Sequence, residues 1–556
     1  MLSKLGSPYP LWQLICFFSL LSRCRARPLS FATAVTSKGR VLGHQGRLAN
    51  RWTIPFAKAP VDSLRFSDPV SRVTLAKWVT SFIQSNIYGP IELTSGFCLY
   101  SSHDATSIPP ACPQPRATTA TSEDCLFLTV YSPKGATSSS KLPVMFWTGS
   151  STAFGLDGSD IASNQNMVVV VPQYRLGILG WMGNSNLSVA GNYGLKDVIL
   201  ALRFVRAEIT AFGGDSSRIT LAGESSGAEI VKSLLVTPSV FSMYARAILH
   251  SAPLDFSDFS PALADTIGAM TVSRLNCSSM TCLRNATIEH ILSVQADMNN
   301  EGQKGALDGV REVEPVYRTI VDGTLVQNEF GDTAAQGIGT IRSRVAKKII
   351  LLTTMKDEGA FTVAEIFPST ASPAYFPMVI ERFFPERAAA ILGSGLYDPS
   401  LLPNDDDALR DQFSRVGTDF VFTCATQQVA LNLTRAGYQI YLGQFDLGVS
   451  YYNDTAPYLI GKATHQDDIG LVFHPNSIIL TRAQRALTSE VQTRWGAFVR
   501  GASPNANGYK TWSPIANEAN LNLLELGSNA HYGLSNISKT QRPAVCSLSS
   551  GIWSRV

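Results

Sequence analysis

Arg218-Ile219-Thr220-Leu221-Ala222-Gly223-Glu224-Ser225-Ser226-Gly227-Ala228 reads as a strand that turns sharply at a serine and leaves as a helix. Ile219 and Leu221 alternate before the turn, and Ile230, Val231, Leu234 and Leu235 follow at helical spacing. The Gly-x-Ser-x-Gly core, Gly223 to Gly227, has the composition such a turn requires. A serine becomes a nucleophile when a strained turn lifts its hydroxyl clear of the sheet, and side chains two residues to either side would obstruct it. The pentapeptide alone is a weak signal in a Gly- and Ser-rich chain. Strand, turn and helix together are a strong one.

A nucleophilic serine needs a base, and the base needs an orienting carboxylate. Around such a turn the three follow in chain order serine, acid, histidine. Downstream, Ile349-Ile350-Leu351-Leu352 has the apolar run of a buried strand and leads into Lys356-Asp357-Glu358-Gly359, which places an acid at a strand's carboxyl end. Glu358 is the first choice and Asp357 the alternative. Tyr438-Gln439-Ile440-Tyr441-Leu442 predicts another strand, and the loop region after it carries Thr464-His465-Gln466-Asp467-Asp468. His465 is the candidate base. His474 competes, although Pro475 after it suggests a structural turn.

The chain has 556 residues, 45% hydrophobic and 16% charged, with a formal net charge of +3. That length suggests roughly three or four domains, but a serine, acid and base drawn from positions hundreds of residues apart imply one α/β domain. A nearly neutral chain without charge runs does not imply nucleic acid as a partner. No P-loop, metal-spaced Cys/His cluster or dinucleotide turn stands out, so neither a cofactor nor a metal is implied. At the amino terminus, Lys4, the apolar stretch Leu11 to Leu21 and Ser22-Arg23-Cys24-Arg25-Ala26 predict a signal peptide over residues 1–26, with a signal anchor as the alternative. No run elsewhere is long enough for a membrane span. Six Asn-x-Ser/Thr sequons, at Asn186, Asn276, Asn285, Asn432, Asn453 and Asn536, are compatible with glycosylation in a secretory compartment.

Further blocks carry a family resemblance. Ile54-Pro55-Phe56, Leu64-Arg65-Phe66, Glu123-Asp124-Cys125-Leu126, Tyr174-Arg175-Leu176-Gly177, Asn192-Tyr193-Gly194-Leu195-Lys196-Asp197 and Phe212-Gly213-Gly214-Asp215 occur in an order that resembles the type-B carboxylesterases, the family of cholinesterases and large fungal lipases. The resemblance covers most of the chain. It implies an α/β-hydrolase fold: a mostly parallel central sheet with helices on both faces and large loop insertions, in a single domain spanning 27–556. It also implies Ser225, Glu358 and His465 as a catalytic triad, and disulfides Cys277 to Cys282 and Cys424 to Cys546. Cys112 should pair with Cys125, leaving Cys98 free, although Cys98 to Cys125 remains open.

Two departures from that pattern stand out. After Val144-Met145-Phe146-Trp147 the family keeps His-Gly-Gly-Gly or a close variant, whose backbone amides hold the oxyanion. Here Thr148-Gly149-Ser150-Ser151-Thr152-Ala153 follows. In that register Ser151 and Thr152 replace the donor glycines, and Ser226 supplies a third amide. The donors survive the substitution, while backbone freedom and room near the carbonyl are reduced. The second departure is about two dozen extra residues between Trp78 and Asp104, expected to be a surface loop or a misread gene segment. The unpaired Cys98 favours the latter.

Between Cys112 and Cys125 there is no aromatic residue, only short polar chain with Thr118, Thr119, Thr121 and Ser122. Neither the cation-binding tryptophan of the cholinesterases nor the apolar lid of the lipases is present there. The expected substrate is a small or medium carboxylic ester or lactone, hydrolysed through an acyl-enzyme. The alternatives are a weak or inactive binding protein on the same fold and an acyltransferase or lactone-processing enzyme of a biosynthetic pathway.

Overall fold

The computed structural model describes residues 31–72, 102–115, 117, 119–149, 156–303, 315–330, 348–402, 406–449, 456–474, 479–529, 533–538 and 546. The signal segment 1–26, Cys98 and nearly all of the insert at 79–102 lie outside them, as do Thr118, Ser151, Thr152 and Asn453.

Thirteen described strands form one sheet: β1 (Phe31–Thr36), β2 (Gly39–Gln45), β3 (Ala49–Pro55), β4 (Ser102–Ala105), β5 (Phe127–Pro133), β6 (Leu142–Thr148), β7 (Val168–Pro172), β8 (Gly214–Glu224), β9 (Arg246–His250), β10 (Ile349–Met355), β11 (Gln439–Phe445), β12 (Leu523–Asn529) and β13 (Leu534–Ser538). Their order is β1-β2-β3-β5-β7-β6-β8-β9-β10-β11-β12-β13, with β4 beside β2. From β7 to β12 every neighbouring pair is parallel, and the flanking pairs β1 to β2, β2 to β3, β3 to β5, β5 to β7 and β12 to β13 are antiparallel.

Parallel strands joined by crossover helices are covered on both faces, so they read as unbroken apolar runs. All seven residues of β6 and all five of β7 are buried. Alternate side chains divide between two cores. Val144, Phe146, Leu221, Leu249 and Leu352 pack with the helices Tyr193–Glu208, Ser226–Leu235 and Cys424–Arg435. Met145, Trp147, Ala222, Ile248 and Leu351 pack with Ser159–Gln165, Asp467–Phe473 and Arg482–Gly501 on the other face. This is the mostly parallel, doubly covered sheet of the α/β-hydrolase fold. A third cluster, around Ile178, Ile267, Leu283 and Ile291, forms a satellite layer from the insertions.

Four of the sequence blocks owe their charged residues to two ion pairs that hold loops to this frame. Arg65 donates from Nε and Nη2 to both oxygens of Glu123, at 2.8 and 2.6 Å. Arg175 does the same to Asp197, at 2.8 and 2.7 Å, with Asp197 fully buried. Two-pronged pairing of this kind makes a buried charge tolerable, and removing one partner typically costs about 3–5 kcal/mol. Disulfides join Cys112 to Cys125, Cys277 to Cys282 and Cys424 to Cys546. The first of these closes the alternative that paired Cys125 with Cys98.

Candidate active site

Strand β8 ends at Glu224, and the next residue, Ser225, sits at φ 54 and ψ −121. That conformation is costly for any residue with a Cβ, and it persists here because its surroundings over-determine it. The Ser225 amide donates to the His250 carbonyl at 3.0 Å, while the Ser225 carbonyl accepts from Glu229 at 3.0 Å. The two flanking glycines are required by close approach. A Cβ on Gly227 would lie 2.1 Å from the Thr148 carbonyl oxygen, and one on Gly223 would lie 2.5 Å from the Gly227 oxygen. Thr148 completes the contact by donating its hydroxyl to the Gly227 carbonyl at 2.8 Å. The end of β6 is thus pressed against the elbow, which fixes where the following loop begins.

Glu358 lies just beyond β10 and is 1% exposed. Its Oε1 accepts from the Met355 amide at 2.7 Å, which aims Oε2 at Nδ1 of His465, also at 2.7 Å. The other imidazole nitrogen, Nε2, is 2.8 Å from the Ser225 hydroxyl oxygen. A carboxylate on Nδ1 leaves the lone pair of neutral His465 on Nε2, facing the serine proton. The network therefore assigns the tautomer that general-base chemistry needs. Ser226 opens the helix Ser226–Leu235, with a backbone amide not used within the helix.

Asp357, the alternative acid, has another task. Its amide donates to the Ala463 carbonyl at 2.9 Å and its carboxylate accepts from the Ala463 amide at 3.0 Å, while Asp357 and Thr464 form a bridge. The loop that carries His465 is thereby tied to the loop that carries Glu358. His474 is not at the site. It caps the helix Asp467–Phe473 at φ 45, with Nδ1 3.5 Å from Asp160.

Three neighbours of the site were not singled out from the sequence. Glu224 is buried, with Oε1 3.4 Å from His465 Nε2. Phe422 places its ring 5.1 Å from the imidazole, on a π-helical turn over Thr418–Thr423, a distortion frequent at functional sites. Asp468 lies three residues beyond His465, in the first turn of the helix Asp467–Phe473, and its charge acts on both His465 and Glu224. Glu224 could have been suspected from its place beside the serine. Nothing local marks Phe422.

Electrostatics couples these groups. Burial lowers the pKa of His465, but the charges of Glu224, Glu358 and Asp468 and the Glu358 hydrogen bond outweigh it, so it stands well above the ordinary histidine range. Loss of hydration, which the His465 charge opposes and Asp468 and Glu358 reinforce, pushes the Glu224 carboxyl up as well. The two groups titrate together, the charge on each favouring the charged form of the other.

Of the sequons, Asn186, Asn276, Asn285 and Asn536 are exposed. Asn432 is half-buried, its Oδ1 accepting from Gln428 and Arg435.

A serine lifted on an elbow at the carboxyl edge of a parallel sheet, within reach of a carboxylate-held imidazole, defines the class of α/β serine hydrolases. The Carboxylesterase family matches this chain over residues 31–546. The chain belongs to that family and is a carboxylic ester hydrolase. It is 27% identical to the Pyrethroid hydrolase Ces2e of Rattus norvegicus over 85% of this chain and 81% of that one. It is also 27% identical to the Cocaine esterase of Homo sapiens, over 89% and 88%. Among solved structures, a PNB esterase superposes with a TM-score of 0.71 at 23% identity, covering 92% of this chain and 97% of that one.

Proposed function

We propose that Ser225 is the nucleophile of a serine esterase acting on a small or medium carboxylic ester or lactone through an acyl-enzyme. The carrying observation is the continuous hydrogen-bond chain from Ser225 through His465 to Glu358, at 2.8 and 2.7 Å. In the first step the Ser225 oxygen attacks the ester carbonyl while His465 Nε2 takes its proton. Glu358 holds the ring and stabilises the imidazolium without being protonated itself. His465 then gives the proton to the departing alcohol, and water, activated by the same nitrogen, releases the acid. Backbone amides of Ser151, Thr152 and Ser226 are the proposed oxyanion donors, each worth roughly 3 kcal/mol of barrier. No cofactor takes part in this scheme.

The working unit is proposed to be one domain, 27–556, delivered to the secretory pathway by residues 1–26 and glycosylated there. The three disulfides support an oxidising compartment. Among the described residues no helix is long and apolar enough to cross a membrane.

Labelling with a fluorophosphonate followed by intact mass tests the assignment. One adduct on the wild-type chain and none on Ser225→Ala is the expected result. Absence of an adduct on the wild-type chain would instead favour the binding-protein alternative, and turnover that depends on an added alcohol would favour acyl transfer.

A further inference from the structure

A second histidine lies within the same fold and takes no part in the scheme above. His250 ends β9, its side chain is fully buried, and its backbone carbonyl holds the Ser225 amide. The ring is enclosed by Trp147, Phe445 and Trp495, at centroid distances of 5.5, 6.3 and 5.3 Å. Trp495 Nε1 is 2.8 Å from His250 Nε2. An indole N–H can only donate, so Nε2 must accept and carries no hydrogen. The single ring proton is therefore on Nδ1, which lies 2.7 Å from Asp468 Oδ2 and 3.2 Å from the Thr353 hydroxyl. His250 thus donates its single ring proton to Asp468 Oδ2.

That carboxyl is confined. Asp468 is 0% exposed, and its Oδ1 has no hydrogen-bond partner. The groups facing the neighbourhood are Glu224 at the end of β8, Glu358 after β10, Asp467 and His465 at the start of the Asp467–Phe473 helix, and the Ser251 hydroxyl after β9, itself unpartnered. A buried carboxylate that loses its only donor takes up a proton.

We propose that His250 is a positioning residue: with Trp495 donating to its Nε2, it holds Nδ1–H on Asp468, three residues beyond His465 in the first turn of the helix Asp467–Phe473, so that the surroundings of the catalytic imidazole are set from β9. The proposal rests on the serine-esterase assignment. His250 acts through Asp468 and touches no reacting atom.

Three single variants and one double variant test it, read by the pH dependence of kcat/KM for p-nitrophenyl acetate and by the NMR titration of His465 in chain carrying isotope-labelled histidine, which needs no turnover. His250→Phe removes the donor and should move the His465 midpoint, and with it the acid limb of kcat/KM, to lower pH by at least about half a unit. His250→Gln, whose amide can donate to Asp468 while its carbonyl accepts from Trp495, should restore the wild-type midpoint. Asp468→Asn, close in shape and uncharged, should give the His250→Phe shift. Adding His250→Phe to Asp468→Asn should shift it no further. The proposal is overturned if Asp468→Asn leaves the midpoint in place, or if the double variant shifts by the sum of two separate effects. Should His250→Phe fail to fold, Asp468→Asn against His250→Gln still decides. Wild-type chain that titrates as described but takes up no fluorophosphonate would sink the esterase assignment while leaving the His250 control of His465 standing.

Discussion

His465 and His250 have the same first partner and opposite fates. Each has Nδ1 2.7 Å from a buried carboxylate, Glu358 for one and Asp468 for the other. The difference lies at Nε2. His465 meets the Ser225 hydroxyl, a donor that can give up its proton as the oxygen forms a bond, whereas His250 meets the Trp495 indole, a donor that keeps its proton. A carboxylate on a histidine therefore does not identify a general base. What stands on the far nitrogen does, together with access: the His465 side chain is 13% exposed and that of His250 is fully enclosed.

Removing the hydroxyl is the most severe way to break this contrast. Ser225→Ala should lower kcat by on the order of 10⁵- to 10⁶-fold and abolish fluorophosphonate labelling, with the thermal midpoint within a degree or two of wild type, because the hydroxyl packs against little. Retained turnover would mean that another group is the nucleophile. Glu358→Gln comes next, with an expected loss of about 10³- to 10⁴-fold in kcat and little change in KM, since the amide favours the wrong imidazole tautomer.

The alternative acid sharpens the comparison from the other side. Asp357→Asn keeps one acceptor for the Ala463 amide, so steady-state assays should show a loss of roughly tenfold or less. A larger loss than that of Glu358→Gln would exchange the roles of the two acids.

The smallest effect is on stability. The pKa of His465 is raised by folding from its ordinary 6.5 to about 9, so its contribution is complete below pH 6.5 and is lost as pH rises through about 9. Glu224, raised from 4.5 to about 8, acts in the same direction, costing stability as pH rises past its unfolded value. Melting temperature should therefore fall from pH 6.5 to 9, and Glu224→Gln should flatten part of that fall. A wild-type melting temperature that rises across the window would contradict the coupling between the two groups.

Much of the frame was legible because it rests on local signals. The elbow requires glycines at two positions, and parallel strands require uninterrupted apolar runs. Even so, the run Ile349 to Leu352 understated β10, which continues to Met355 through the buried Thr353 and Thr354. Likewise Tyr438 to Leu442 became Gln439–Phe445, because ladder hydrogen bonds continue where the apolar pattern has stopped. The residues proposed as a triad were picked out by order along the chain and by family pattern, and the structure brings all three within hydrogen-bond reach. His250 was illegible for a physical reason. It closes an apolar run as any strand end could, and the partners that give it meaning lie 218 and 245 residues further on.

The tie between Asp357 and the Ala463–Thr464 backbone has a mechanical consequence. Acid and base hang from adjacent parallel strands, β10 and β11, and are splinted together just before the side chains that meet. Thermal motion of either loop carries the other with it, so the Glu358 to His465 contact travels as one rigid piece. The serine is held by the elbow clamped between Thr148 and the His250 carbonyl. Acid and base are thus fixed to each other through the main chain, whereas base and serine meet only through the side-chain contact that the proton must cross.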